Sequence, residues 1–262
     1  MLDVLAFGAH PDDVELGAGG MLLRFTDAGL RCGVVDLTRG ERGSRGTAET
    51  RAEEARVSSE LMGLAAREAL HFPDTQLQPT LDLRRAVIEA IRRHRPRIIL
   101  APLPGDLHPD HDAAGRAVRD AFYPSGMKNV EADGEPYRAR ALFHYFMHDE
   151  RPTDIVVDVT SVWERRLELA RCFASQLHRS QEQLAPEGDD FPTLISQPDF
   201  LLRIEARARA WGRRAGVEFG EPLFAPQQLA VVDPRTLLQV PPGAESACGV
   251  SSGSGSSDGS AS

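Results

Sequence analysis

The sequence has few of the features that mark membrane proteins, disulfide-rich domains or nucleic-acid-binding proteins. It contains three cysteines, a single lysine at Lys128, and no apolar run near the roughly 18 residues of a membrane span. No basic stretch precedes an apolar core at the N-terminus, as it would in a secretory signal. The formal net charge of −9 argues against nucleic acid or an anionic membrane, because phosphate binding needs a basic face. We therefore expect a protein of the reducing cytoplasm with no nucleic-acid and no membrane partner.

Segments of strand and helix character alternate through the first half of the 262 residues. Four strand-like runs are each followed by a segment whose apolar residues have helical spacing. These runs are 2–8, 31–37, 69–72 and 97–101. The order predicts an α/β fold, in which right-handed crossovers cover a parallel sheet with helices. We expect one domain over 1–240 and a disordered Gly/Ser-rich tail over 241–262.

Polar motifs follow the first and fourth strands at the point where each strand ends. Ala-His-Pro-Asp-Asp occupies 9–13, and Gly-Asp-Leu-His-Pro-Asp-His-Asp occupies 105–112, ahead of a helix predicted to begin at Asp112. Open parallel sheets bind ligands outside the carboxyl ends of their strands. In a sheet whose strand order turns back beside the first strand, the first and fourth strands are neighbours. The two motifs are therefore predicted to form one site.

The residue types in these motifs favour zinc or a similar divalent ion. A hydrolytic zinc site usually keeps three protein ligands and leaves one position for water. His10 and Asp13 on the first loop, with His111 on the second, supply two nitrogens and one carboxylate. We therefore predict one Zn²⁺ per chain, with another divalent ion such as Fe²⁺ as the alternative.

Neighbouring side chains suit hydrolysis. Asp12 lies beside a predicted ligand and can take the proton of water as that water attacks a carbonyl carbon. His108 can stabilise the developing oxyanion or protonate the leaving amine, and Asp110 is the natural orienting partner of its imidazole. We predict Asp12, His108 and Asp110 as the catalytic residues.

Each motif also has a simpler interpretation when it is taken alone. Asp12 and Asp13 ahead of a helix are typical of an N-cap with favourable dipole charge. His-Pro-Asp is typical of a turn. The occurrence of both motifs at the ends of two predicted neighbouring strands favours a metal site over these interpretations.

Other chemistry-bearing residues are expected to have structural roles. Gly17 and Gly20 come too late after the first strand for a dinucleotide-binding turn, so we expect them to let the first helix pack closely on the sheet. Cys32 lies within a predicted strand and is expected in the core. The five histidines outside the motifs, among them His144 and His148, are expected to be structural or solvent-facing.

An arginine-rich loop at 38–47 follows the second strand at the same edge of the sheet. Its arginines either pair with neighbouring glutamates in solvent or donate to hydroxyls or a carboxylate of a substrate. Arg51 begins the next helix, which fixes its direction better than a glycine-rich loop does. Arg51 is therefore the leading substrate-binding candidate, and Arg39 is a further one.

Four segments together resemble the LmbE/PIG-L family of metal-dependent N-deacetylases. They are 9–13, Leu-Thr-Arg-Gly-Glu at 37–41, Thr-Arg-Ala-Glu-Glu at 50–54 and His-Pro-Asp-His at 108–111. The similarity runs over about 2–238. Later segments at 171–176, 204–209 and 216–222 are similar to the branch that removes acetate from N-acetylglucosaminyl malate in bacillithiol biosynthesis.

The resemblance implies a Rossmann-like, three-layer αβα fold with a mostly parallel central sheet, and zinc held by the three ligands predicted above. It implies Asp12 as general base, His108 with Asp110 as the oxyanion or leaving-group partner, and a substrate contact from Arg51. It further implies a homo-oligomer, often a hexamer. Some relatives place a mobile tyrosine at the site, and the residues leave its identity open. The tyrosines here are Tyr123, Tyr137 and Tyr145.

We therefore predict a zinc-dependent hydrolase that removes the acetyl group from a small N-acetylated amino sugar. The branch suggests N-acetylglucosaminyl malate as the substrate. A deacetylase of another N-acetylglucosamine conjugate, or a non-catalytic metal- or sugar-binding module on the same fold, is the alternative. A structural zinc site is normally closed by four protein ligands, so an open position beside an unliganded aspartate favours the enzyme.

Overall fold

A computed structural model of the chain describes residues 1–148, 150–153, 155–178 and 191–229. The strands are β1 Val4–Gly8, β2 Cys32–Asp36, β3 Ala66–Ala69, β4 Ile98–Pro102, β5 Ala141–Tyr145, β6 Ile155–Asp158 and β7 Gly220–Phe224. The α-helices are α1 Asp13–Asp27, α2 Ala48–Met62, α3 Leu81–His94, α4 Pro109–Phe122, α5 Trp163–Cys172 and α6 Phe200–Ala215. None of the helices in the described ranges combines the length and apolar character of a membrane span. The predicted tail over 241–262 lies outside the described residues.

The seven strands form one sheet in the order β3-β2-β1-β4-β5-β7-β6. All the pairs are parallel except those of β7, which runs antiparallel to β5 and β6. β1 lies between β2 and β4, so the strand order turns back at β1. The predicted α/β fold with a mostly parallel sheet is confirmed, and so is the pairing of the first and fourth strands.

Helices cover both faces of the sheet. Leu5 and Phe7 of β1 pack on the side of α3 and α4, whereas Val4 and Ala6 pack on the side of α1, α5 and α6. Alternate residues of a strand point to opposite faces, and a parallel strand covered on both faces is apolar throughout. The predicted three-layer αβα architecture is therefore confirmed.

The first helix packs closely on the sheet through its glycines. A Cβ added at Gly17 would overlap the ring of Tyr145, and one at Gly20 would lie 2.8 Å from Val159. The backbone N–H of Gly20 donates to the carboxylate of Glu221. The expected packing role of these glycines is confirmed.

The sequence also predicts strands at 141–147 and 155–159, which correspond to β5 and β6, whereas β3 and β7 differ from the prediction. β3 lies three residues before the predicted run at 69–72 and pairs with β2. β7 was not predicted, because Gly220 and Pro222 weaken the pattern of a strand. β7 nevertheless completes the sheet between β5 and β6.

Helix α4 begins at Pro109, three residues before the predicted start at Asp112. Proline fits the first position of a helix, where its missing N–H would have had no intrahelical partner. His108 is therefore the N-cap residue, and Asp110 and His111 lie in the first turn. The second motif is half loop and half helix, and this difference changes which atoms its side chains contact.

Candidate functional site

The loops after β1 and β4 line one cavity of about 620 Å³. Direct pairing of β1 with β4 brings the two loops to the same edge of the sheet. Five of the predicted metal and catalytic residues line this cavity together. They are His10, Asp12, Asp13, His108 and His111.

The three predicted metal ligands converge at the base of the cavity. His111 Nε2 lies 3.1 Å from Asp13 Oδ1, and His10 Nδ1 lies 3.6 Å from Asp13 Oδ2. One potential ligand atom from each residue lies within 4.8 Å of the other two, and all three residues are buried. The backbone N–H groups of Ala9 and His10 donate to Asp13 Oδ2 and fix that carboxylate. Two imidazole nitrogens and a carboxylate in this arrangement fit a divalent ion such as zinc.

Carboxylates bind the second nitrogen of each predicted histidine ligand. His10 Nε2 lies 3.1 Å from Asp74 Oδ1 and 3.2 Å from Asp110 Oδ2. His111 Nδ1 lies 3.1 Å from Asp106 Oδ1. Outer carboxylates of this kind orient ligating imidazoles and raise their basicity. Asp74 lies in no motif, so the sequence does not predict it at the site, whereas the position of Asp106 in the second motif is a signal for the role it has here.

Asp110 does not have the predicted contact with His108. Its carboxylate lies against His10 and accepts the backbone N–H groups of Thr75 and Leu77. Only its main chain reaches His108, by donating its N–H to Nδ1 at 3.2 Å. The prediction that the Asp110 side chain orients His108 is therefore wrong. The reason is the early start of α4, which makes His108 a cap and turns the Asp110 side chain toward 74–77.

His108 presents a hydrogen-bond donor to the cavity. Because its Nδ1 accepts the N–H of Asp110, the proton of the neutral ring is on Nε2. Burial and the charges of His111 and His10 lower the pKa of His108, which favours the neutral ring. A neutral imidazole with Nε2–H suits the stabilisation of a developing oxyanion.

Asp12 has a strained backbone and a buried ion pair. Its φ is 126°, a value that residues other than glycine rarely adopt. Such strained backbone conformations are typical of functional sites. It stands at the N-cap position of α1, yet its side chain makes no capping hydrogen bond. Its Oδ2 lies 2.8 Å from Arg51 Nη2 instead, so the simple N-cap interpretation fails for Asp12. Burial raises the pKa of Asp12 to about 7, although the positive charge of Arg51 opposes that rise.

Charge attraction dominates the electrostatics of the three predicted ligands. Burial raises the pKa of the Asp13 carboxyl, but the charges of His111 and His10 outweigh it and hold that pKa well below its usual range. Burial lowers the pKa of His111, but Asp13 and Asp106 outweigh it and raise the pKa to about 9. The site therefore favours a positive charge. A metal ion binding there would compete with protons on the imidazoles.

The two predicted substrate arginines have different positions. Arg51 lines the cavity, but its guanidinium is engaged by Asp12 and by the carbonyl oxygen of Pro11. Arg39 is exposed and does not line the cavity, so the structure does not bring it to the other predicted site residues. Gly40 turns the loop with a φ of 63° and packs against Arg51, where a Cβ would overlap the guanidinium. Arg42 lines the cavity instead.

The second half of the chain supplies the rest of the cavity. Its lining residues mix apolar and charged side chains: Met147, His148, Glu150, Gln176, Thr193, Leu194, Ile195, Phe200, Arg203, Ile204 and Arg207. Arg207 donates to the carbonyl oxygen of Met147, and its Nε lies 3.3 Å from Glu150. No motif marks these residues, so sequence reasoning did not place them at the site.

The histidines outside the motifs include one that belongs to the cavity. His144 is buried in β5 with Nδ1 at 2.9 Å from the carbonyl oxygen of Pro102, and burial lowers its pKa to about 4. His144 therefore has the expected structural role. His148 is exposed as expected, but it also lines the cavity and contacts Asp106. The sequence did not place His148 at the site. It reaches the cavity because β5, which it follows, pairs with β4.

None of the three tyrosines, all of them within the described residues, lines the cavity. Tyr145 is buried and donates to the carbonyl oxygen of Phe7, and Tyr137 donates to that of Pro96. Tyr123 is exposed beneath the guanidinium of Arg138. In this structure the described cavity therefore has no tyrosine in a catalytic position.

Comparison with known proteins matches the first half of the chain to a family model described as "PIG-L: GlcNAc-PI de-N-acetylase", over residues 5–122. This span contains both polar motifs. The chain is 34% identical over 188 residues to diacetylchitobiose deacetylase of Thermococcus kodakarensis, which covers 66% of this chain and 69% of that protein.

Two further relatives extend the similarity. The probable N-acetyl-alpha-D-glucosaminyl L-malate deacetylase 2 of Bacillus anthracis is 25% identical over 201 residues, covering 71% of this chain and 87% of that protein. The crystal structure of the conserved protein TT1542 from Thermus thermophilus superimposes with a TM-score of 0.79 at 35% identity. That match covers 88% of this chain and 98% of TT1542.

Proposed function

The chain belongs to the LmbE/PIG-L family of deacetylases, and from that premise we propose that it hydrolyses the acetamide of an N-acetylglucosamine conjugate at a divalent metal ion. One observation carries the proposal. The cluster of His10, Asp13 and His111 shares its cavity with a carboxylate and an imidazole that are not needed as ligands, Asp12 and His108. Three ligands with an open position are typical of catalytic zinc sites, whereas structural sites have four protein ligands.

Each residue of the cavity has a defined part in the proposed reaction. A bound Zn²⁺ or Fe²⁺ would supply Lewis acidity toward the amide carbonyl and the attacking water. Asp12 accepts a proton from that water while the water oxygen bonds to the carbonyl carbon. Arg51 holds the Asp12 carboxylate in place. Nε2–H of His108 donates to the oxyanion of the tetrahedral intermediate. The C–N bond then breaks, and the amine takes the proton that Asp12 accepted from the water as acetate and the free amino sugar form.

For the aglycone we propose a carboxylate-bearing group, with N-acetylglucosaminyl malate as the first candidate. Arg42, Arg203 and Arg207 line the cavity and offer donors to a carboxylate. The name of the Bacillus anthracis relative supports this choice. Diacetylchitobiose competes with it, because the Thermococcus relative named for that substrate is 34% identical.

Acetate release by the purified protein tests these proposals. The protein is loaded with Zn²⁺ or Fe²⁺ and assayed with N-acetylglucosaminyl malate, N,N′-diacetylchitobiose and free N-acetylglucosamine. Metal content is measured by elemental analysis in each preparation. Faster release from the malate conjugate than from the other two is the expected result.

Two other outcomes have distinct meanings. No release from any substrate by a fully metal-loaded protein would favour the non-catalytic metal- or sugar-binding module. Equal rates with N-acetylglucosaminyl malate and free N-acetylglucosamine would remove the case for a malate substrate and for bacillithiol biosynthesis. A cytoplasmic location and a homo-oligomer such as a hexamer stay predictions, to be checked by fractionation and by light scattering.

A further inference from the structure

A third imidazole stands at the cavity beside the two histidines of the second motif. His148 follows β5 and lines the cavity together with Asp12 and His108. The ring of His111 stacks on His108 with centroids 4.5 Å apart and on His148 with centroids 5.3 Å apart. The three rings therefore form a stack with the predicted metal ligand, His111, in the middle.

Asp106 fixes the orientation of His148. Its Oδ2 accepts the backbone N–H of His148 at 2.9 Å, and its Oδ1 lies 2.9 Å from His148 Nδ1. The same Oδ1 lies 3.1 Å from Nδ1 of His111, whose ring is within 12° of parallel to that of His148. An ionised carboxylate only accepts hydrogen bonds, so Nδ1 of His148 carries the proton. In the neutral ring Nε2 is then the acceptor, and it is the polar ring atom that remains for the cavity.

His108 and His148 therefore differ in the hydrogen bonds they can offer. His108 accepts a backbone N–H at Nδ1 and has its proton on Nε2, so it is a donor. His148 donates at Nδ1 and is an acceptor at Nε2. A carbonyl oxygen or an oxyanion has no proton to give to His148. A hydroxyl group has one.

His148 also belongs to a second group of possible metal ligands. One potential ligand atom each of Asp106, His111 and His148 lies within 4.8 Å of the other two. Asp106 contacts both histidines through their Nδ1 atoms, so an ion on that side would use Nδ1 of His148 and not Nε2. His148 is not a member of the group of His10, Asp13 and His111. Nε2 of His148 therefore remains for a ligand other than the ion.

We propose that Nε2 of His148 accepts a hydrogen bond from one ring hydroxyl of the amino sugar, which makes His148 a substrate-binding residue that selects for the sugar. This inference rests on the proposed function, since it requires a hydroxylated substrate in the cavity. Asp106 then has two roles. It holds the metal ligand His111 and the sugar-binding His148 through the same carboxylate.

The test compares His148→Ala and His148→Gln with wild type on N-acetylglucosamine and its 3-deoxy, 4-deoxy and 6-deoxy analogues. Loss of one hydrogen bond made in both the ground state and the transition state raises KM about tenfold and leaves kcat within about twofold. The glutamine variant keeps an acceptor oxygen and should restore part of the affinity. In wild type, one deoxy analogue should show the same loss, and His148→Ala should no longer distinguish it from the parent sugar.

Three measurements separate this inference from its alternatives. His71→Ala, at an exposed histidine that does not line the cavity, is the matched control. Elemental analysis must show unchanged metal content in the His148 variants. Calorimetric binding of glucosamine to the metal-loaded protein reports on His148 even without turnover, so inactivity of the wild type would count against the proposed function alone. Unchanged KM and glucosamine affinity, a loss of metal, or equal losses for all the deoxy analogues would overturn the proposal and leave His148 as a structural partner of Asp106.

Discussion

The two ends of the cavity are built in different ways. At the reacting end, His10, Asp13 and His111 are buried, and main-chain or carboxylate groups hold each of them in place. At the end lined by α6, which we call the far end, Arg203 is 60% exposed and pairs with the exposed N-cap residue Asp199. Buried groups in fixed geometry suit the making and breaking of bonds. Exposed charges on a helix surface suit substrate recognition, which can vary between relatives. The comparison predicts that the reaction depends on the first end and the choice of substrate on the second.

The family match divides the chain along the same line. The matched span of 5–122 contains every predicted metal and catalytic residue and ends before β5. Most residues of the far end, including Arg203 and Arg207 of α6, lie outside that span. Family members that share the matched span but differ outside it would catalyse the same reaction on different substrates.

Removal of a ligand should have the largest effect. His10→Ala and His111→Ala each leave two ligands, so we expect loss of bound metal and a fall in acetate release of more than about a thousandfold. Elemental analysis and a kinetic assay check both effects, with His71→Ala as the control. Full zinc occupancy in either variant would refute the assignment of that ligand.

Replacement of the base should abolish turnover and spare the metal. Asp12→Asn keeps the shape of the side chain, and asparagine tolerates positive φ better than alanine does. We expect kcat to fall by about 10²–10⁴-fold with unchanged metal content. Near-normal turnover in this variant would contradict the role of Asp12 and would leave the reacting end without a general base.

A change at Arg51 should move the pH profile rather than abolish activity. Burial raises the pKa of Asp12, and Arg51 opposes that rise, so Arg51→Gln removes a charge that lowers the pKa. The pKa of Asp12 then rises, and less of the carboxylate form is present at pH 7. We expect the acidic limb of kcat/KM to shift to higher pH, with about a tenfold loss at pH 7 and a smaller loss at pH 9.

Two results distinguish this role from substrate binding. An unmoved acidic limb with a raised KM at every pH would show that Arg51 acts on the substrate, as the sequence predicted. Arg42→Gln is the matched control, because Arg42 lines the same cavity without a contact to Asp12. We expect the acidic limb of that variant to coincide with that of wild type.

The reacting end was readable from the sequence because its residues lie at strand ends. Periodicity located β1 and β4, and the rule for ligand sites in parallel sheets brought their motifs together. The side-chain contacts within the site could not be predicted. Because α4 begins three residues earlier than predicted, the Asp110 carboxylate contacts His10 instead of His108.

Residues that reach the site across the sheet gave no local signal. His148 lies 37 positions beyond His111 in the chain, and only the neighbouring positions of β4 and β5 bring the two together. Asp74 likewise arrives from the segment after β3 and contacts His10. Arg39 is the opposite case, since its place in the family-like segment at 37–41 does not bring its exposed side chain to the cavity.

The smallest predicted effect lies at the far end of the cavity and tests the comparison itself. Arg203→Gln removes an exposed charge that contributes about 0.2–1 kcal/mol to a charge pair in water, so we expect KM for N-acetylglucosaminyl malate to rise about two- to fivefold with kcat unchanged. Added salt should reduce this difference, because salt screens exposed charges. Free N-acetylglucosamine should be insensitive, since it has no carboxylate.

Arg209→Gln is the control on the same helix, because Arg209 is exposed, pairs with Glu205 and Glu218, and does not line the cavity. Equal effects of Arg203→Gln on KM for both substrates would show that Arg203 does not bind the carboxylate of the malate conjugate. A fall in kcat with either substrate would break the comparison, because a residue of the far end would then act on the chemical step. A salt-sensitive change in KM confined to the malate conjugate would sharpen it and locate the aglycone beside α6.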